Sequence, residues 1–185
     1  RICLTGLILL LFAVAVDGRV GNSTSESSYC TETKECFLFD LVCAGDGYEV
    51  RHYDAAKWVT TEAESYFMEI ATSRAFRKLY KYITGENEAG EFVWGSNIVE
   101  DQIFLLPSKY QANPPKPTDP SVYLTDTPDM KVYADSLKTS LDNVQATYET
   151  EYHYNVGYNS PMKIMNRHNE AWFIVKGEPV CPSSG

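Results

Sequence analysis

The sequence predicts an α+β domain in which paired strands carry one or two packed helices. Three observations predict it. Short strand-like runs recur at Tyr48–Tyr53, Lys57–Thr61, Ser121–Thr125, Met130–Ala134 and Ala171–Val175. The segment Tyr66–Ile83 lacks Gly and Pro and has helical periodicity. The order strand, turn, strand, helix-prone stretch occurs twice, and a shift of 74 residues lays Lys131-Val132-Tyr133 on Lys57-Trp58-Val59.

Ahead of these elements, Leu4–Val16 is apolar but short for a bilayer span. Arg1 precedes it, and Val16 and Gly18 are small enough for a cleavage site. Residues 1–18 therefore read as a signal peptide. Residues 19–46 read as a Ser-rich, Cys-containing segment, 47–178 as the folded domain and 179–185 as a tail. Asn22-Ser23-Thr24 matches an acceptor for N-linked glycan. Cys3 leaves with the signal, so Cys30, Cys36, Cys43 and Cys181 remain as two disulfides with three conceivable pairings. A bridge from Cys181 to the N-terminal group would tie the chain ends together. No C-x-x-C pair or neighbouring His supports zinc at these cysteines.

Within the domain, Tyr48, Val50 and His52 share one strand face and Glu49, Arg51 and Tyr53 the other. This strand and Lys57–Thr61 are expected to pair as a hairpin. In the helix, Phe76, Leu79, Tyr80 and Ile83 make one apolar face, extended by Phe67 and Ile70. Arg74, Lys78 and Lys81 line its flanks, and Gly85 sits where a C-terminal cap belongs. Residues 85–91 form a polar turn and Ile98–Leu106 a strand. Five prolines between Pro107 and Pro120 predict an extended connector without helix. Ser121–Thr125 and Met130–Ala134 should form a second hairpin around Pro128-Asp129. Ser136–Tyr148 is a shorter helix-prone stretch, Glu151–Val156 a strand, and 157–170 a turn-rich loop before the buried-type strand Ala171–Val175.

Composition narrows the function. Of 185 residues, 16 are Lys or Arg and 25 Asp or Glu, a net charge of −9 that argues against nucleic acid and anionic membranes as partners. Tyrosine, at 13 copies, suits pocket walls and interfaces. The sequence has no G-x-S-x-G, P-loop, G-x-G-x-x-G or H-E-x-x-H pattern, and its three histidines, His52, His153 and His168, are scattered. The expectation is a binding protein, not an enzyme.

Several stretches resemble the SOUL/haem-binding protein family. They are Tyr48-Glu49-Val50-Arg51-His52-Tyr53 with Ala56-Lys57-Trp58-Val59; Phe76–Asn87; Leu106-Pro107-Ser108; Pro114-Pro115-Lys116-Pro117; Val122–Tyr133; Gly157-Tyr158-Asn159-Ser160-Pro161-Met162-Lys163; and Asn169-Glu170-Ala171-Trp172. The resemblance implies a distorted antiparallel β-barrel or sheet with a pseudo-two-fold repeat, one long flanking helix and one shortened one. It also implies haem or a related tetrapyrrole as a bound ligand. Phe76 and Tyr80 would touch the ring, Lys81 and Lys163 would meet the propionates, and His52 would be the axial ligand. With the signal peptide, this gives a secreted, reversible carrier or scavenger without catalysis. The alternative is a secreted module that binds a protein or another apolar ligand and has lost haem binding. Two regions depart from the family. Residues 91–103 stand in place of an M-T-x-P-V segment and its strand, and the second helix is shortened within residues 134–148.

Overall fold

The computed structural model describes residues 19–22, 30, 35–62, 66, 68–93, 99–100, 103–134, 138–159 and 163–182. The expected signal peptide, residues 1–18, lies outside them, as do Ser23 and Thr24 of the glycan acceptor. The fold is α+β, as expected. β1 (Val20–Asn22) and β2 (Glu35–Phe37) form a two-stranded sheet. The other nine strands form one antiparallel sheet: β3 (Asp40–Gly45), β4 (Tyr48–Tyr53), β5 (Ala56–Thr61), β6 (Val99–Glu100), β7 (Ile103–Leu105), β8 (Val122–Thr127), β9 (Met130–Ala134), β10 (Tyr154–Gly157) and β11 (Asn169–Ile174). Their order is β3-β4-β9-β11-β10-β6-β7-β5-β8, distorted and without closure into a barrel among the described residues.

Neither expected hairpin forms. β4 pairs with β9 instead of β5, and β5 pairs with β8. The register runs unchanged from Glu49↔Ala134 and Tyr53↔Met130 to Ala56↔Thr127 and Thr61↔Val122. Asp54-Ala55 on one side is matched by Pro128-Asp129 on the other. Each supposed hairpin is one bent strand, and the two bent strands pair along their whole length. Tight two-residue hairpins favour glycine or asparagine at positive φ, which Asp54-Ala55 and Pro128-Asp129 lack, and both flanking stretches pair in one register with the other repeat. The 74-residue shift carries β4 onto β8 and β5 onto β9, so the ladder is pseudo-two-fold about the bend. The Ala55 N–H donates to Asp129 Oδ1 there at 2.8 Å. A hairpin does form between β3 and β4 through Asp46-Gly47, where Gly47 has φ +77°.

Each half of the ladder is covered by a helix. α1 (Met68–Ile83) packs against β5 and β8. Leu79, Tyr82 and Ile83 meet Val59, Phe104, Leu106, Tyr110 and Val122 beneath it. α3 (Lys138–Asn143), six residues long, places Leu141 against Tyr48, Val50, Tyr133 and Phe173. Between the bent strands and β10–β11 lies an aromatic interior of Phe37, Tyr53, Trp58, Tyr158 and Trp172, in which the Tyr53 and Trp172 rings stack at 4.5 Å. The proline segment departs from expectation. Ser108–Gln111 forms a short helix, α2, directly after Pro107. Proline is tolerated at a helix start because the missing N–H is unpaired there anyway. Residues 112–120 are irregular, as predicted.

Candidate functional site: the outer shelf of the long helix

α1 lies close to the sheet because the positions facing it include Ala71 and Ala75 beside Leu79, Tyr82 and Ile83. The apolar stripe read from sequence splits in two. Leu79 and Ile83 are core, Phe76 is half-buried and Tyr80 is 42% exposed. Phe76 leans edge-on against Phe104 at 5.7 Å, and the Tyr80 ring stacks on Phe76 at 5.8 Å with 23° between planes. Ile70, nearer the helix start and on a different face, is 43% exposed, and Tyr66 just before the helix is open to solvent. The result is a partly exposed aromatic shelf of Phe76 and Tyr80, anchored from below by Phe104.

Cations border the shelf. Arg74, Arg77 and Lys81 are exposed, and Lys78 is half-buried with its Nζ 3.2 Å from the Glu62 carbonyl. Lys81 Nζ lies 3.4 Å from Glu86 across solvent. The helix ends at Gly85, φ +111°, where the Glu86 N–H donates to the Lys81 carbonyl and the Gly85 N–H to that of Tyr82. Asn87, buried, then closes the turn with hydrogen bonds to the Tyr82 and Glu91 carbonyls. The proline segment is fastened here. Tyr82 Oη donates to the Pro115 carbonyl, Thr118 Oγ1 to that of Glu86, and the Glu88 N–H to that of Lys116. A narrow crevice bounded by Lys78, Lys81, Glu86, Pro117 and Asp119 results. Hydrogen bonds from Ser121 hold the Asp119 carboxyl below its usual range, and Lys78 and Lys81 add to the effect.

The other predicted residues lie elsewhere. Lys163 is half-buried on the loop between β10 and β11, followed by exposed Ile164 and Met165. His52 sits on β4 among carboxylates: its Nδ1 is 3.9 Å from Asp40, and Asp54 and Asp129 are close by. Its neighbours thus come from β3 and the bend of the ladder, not from α1. His153 stacks on Phe173, and His168 contacts Glu170. Cys30 bonds to Cys36 and Cys43 to Cys181, so the tail is tied to β3 as anticipated. Tyr48 Oη and the Tyr133 hydroxyl fix the Val180 carbonyl and N–H beside that bridge. Asn22 ends β1, its backbone opposite Glu35.

Sequence reasoning missed the most heavily bonded side chain. Glu170, fully covered, accepts hydrogen bonds from Arg51 at 2.8 and 3.2 Å, Trp172 Nε1 at 2.7 Å and Tyr158 Oη at 3.0 Å, and contacts His168 Nε2 at 2.8 Å. Arg51 also lies 4.4 Å over the Phe39 ring. Burial opposes the Glu170 charge, but Arg51, His168 and Trp172 outweigh it and hold its pKa below the usual value. Three of the matched motifs, Tyr48–Tyr53, Gly157–Lys163 and Asn169–Trp172, meet at this one carboxylate. The sequence held only the two opposite charges, Arg51 and Glu170, inside separate matched motifs, with nothing local to mark them as buried partners.

Comparison with known proteins agrees with this fold. The family profile described as SOUL heme-binding protein matches residues 34–136 and 134–174. Human Heme-binding protein 2 is 31% identical, the alignment covering 71% of this chain and 80% of that protein. The mouse Heme-binding protein 2 is 29% identical with the same coverage, and Xenopus tropicalis Heme-binding protein 1 is 29% identical over 70% of this chain and 84% of that protein.

Proposed function

The chain belongs to the SOUL heme-binding protein family, and from that premise we propose that it binds haem or a related tetrapyrrole reversibly on the shelf of α1. The observation that carries this reading is the exposed Phe76–Tyr80 stack, held edge-on by Phe104 and bordered by cations. A porphyrin is a flat apolar disc with two carboxylates at one edge. A fixed aromatic shelf buries its face, and Lys or Arg at the rim binds the carboxylates through charge-assisted hydrogen bonds. The family resemblance assigns Lys81 and Lys163 to that rim; Lys81 stands on α1 itself and Lys163 on the separate β10–β11 loop. Lys81 gives up the solvent-exposed Glu86, a pair of little energetic weight, and its longer-range attraction to Asp119. His52, surrounded by carboxylates, is not part of this site. The protein acts as an extracellular carrier or scavenger and catalyses nothing; the signal-like leader and the two disulfides support the extracellular setting.

The test is a haem titration followed by Soret absorbance and Trp fluorescence, Trp58 and Trp172 being the buried reporters. A saturable one-to-one change is expected. A featureless, non-saturating response would overturn the reading and assign the shelf to another partner.

A further inference from the structure

We propose that His52, Asp54 and Asp129 form a binding site for a divalent transition-metal cation, separate from the helix shelf and independent of haem. The three residues come from β4, from the bend after it and from the matching bend between β8 and β9. Their imidazole nitrogen and carboxylate oxygens all lie within 4.8 Å of one another. Asp129 is pre-set, since its Oδ1 accepts the Ala55 N–H at 2.8 Å and leaves Oδ2 for a ligand.

Charge argues the same way. Asp40 adds a third carboxylate, 3.9 Å from His52 Nδ1. Arg19 is the cation on Asp40, at 2.6 Å, and on Asp54, at 3.6 Å. Asp129 has no cationic partner among the described residues. The pseudo-two-fold mate of this position is neutral by contrast: there Asp126 pairs with Lys57 at 2.6 Å. The repeat that turns Asp126 into His52 also turns Lys57 into exposed Lys131, opposite His52 on β9, so a closed ion pair gives way to an open imidazole with three carboxylates, Asp40, Asp54 and Asp129, against two cations, Arg19 and Lys131. One imidazole and two carboxylates suit Zn²⁺, Mn²⁺ or Ni²⁺, with water completing the shell; calcium asks for more oxygens than this corner offers. All three side chains reach solvent, so they can close the remaining distance on a cation, with Arg19 retained by Asp40.

The experiment is calorimetric titration of Zn²⁺ into the secreted, disulfide-bonded protein, from which Cys3 departs with the expected signal peptide. Binding is expected at one equivalent. His52→Ala and Asp129→Asn should each weaken it by roughly tenfold or more. Asp126→Asn should leave it unchanged. Circular dichroism confirms that each variant is folded. Absence of saturable binding overturns the proposal, as does binding that survives both His52→Ala and Asp129→Asn. A haem titration of His52→Ala stays at the wild-type midpoint if the two sites are separate, and a shifted midpoint overturns that separation.

Discussion

Arg51 on β4 and Glu170 on β11, 119 positions apart, are joined by two hydrogen bonds while their side chains are 4% and 0% exposed. Their strands are not neighbours; β9 runs between them. The pair therefore reaches across the interior and fixes how the bent ladder sits on β10–β11.

Arg51→Met leaves a buried carboxylate without its cation. The expected loss is roughly 3–5 kcal/mol of stability, since uncompensated buried charge is what makes such breaks costly. Lys57→Met, which breaks the exposed pair with Asp126, should cost about 1 kcal/mol or less. Equilibrium denaturation of both variants checks the contrast, and equal losses would refute it.

Acid should unfold the protein through the same residue. The Glu170 pKa is depressed in the folded state, so its stabilisation is complete above the ordinary value of 4.5 and declines as pH falls through the folded value. Thermal melts between neutral pH and pH 3 should show this decline. Glu170→Gln, where it folds, should lower the melting temperature at neutral pH and flatten the acid limb. An acid limb as steep as that of the wild type would assign the effect to other carboxylates.

Local signals in the sequence were reliable where one element decides its own shape. The α1 periodicity and the Gly85 stop are examples. What failed was pairing. Lys57–Thr61 follows Tyr48–Tyr53 after two residues, and proximity in sequence favours a hairpin; only long-range register reveals that each pairs with the other repeat. The internal shift of 74 residues held that information, because a two-fold repeat can swap partners at no cost in register. Tyr80 was assigned to an apolar face that the fold divides, since periodicity shows a stripe but not where the sheet ends beneath it. Glu170 was invisible because a buried charge is legible only with its partner.

Gly85 ends the helix, and the residues on either side of it, Tyr82, Glu86 and Glu88, hold the proline segment. The Gly85 φ of +111° is unfavourable for any side chain, although a Cβ there would meet only the Gly90 carbonyl at an ordinary 3.5 Å. Gly85→Ala should therefore cost on the order of 1–3 kcal/mol through backbone strain, not collision. Gly90→Ala, with open space around it and φ +65°, should cost less. Chemical denaturation ranks the two; a larger loss at Gly90 would contradict the assignment.

The shelf makes the sharpest separation between binding and stability. Tyr80 is 42% exposed and lies outside the core, so Tyr80→Ala should cost little in melting temperature while weakening haem binding by roughly tenfold, the worth of one aromatic contact with its buried area. Phe76 touches both Tyr80 and Phe104, so Phe76→Ala should weaken binding and lower stability together. Lys81→Glu and Lys163→Glu should each weaken binding several-fold, more at low salt, because a carboxylate would meet a carboxylate. The titrations should be run on the full chain at two ionic strengths beside a thermal melt. Tyr80→Ala and Lys81→Glu proteins that bind haem like the wild type would remove the shelf from the site, whatever the intact chain binds.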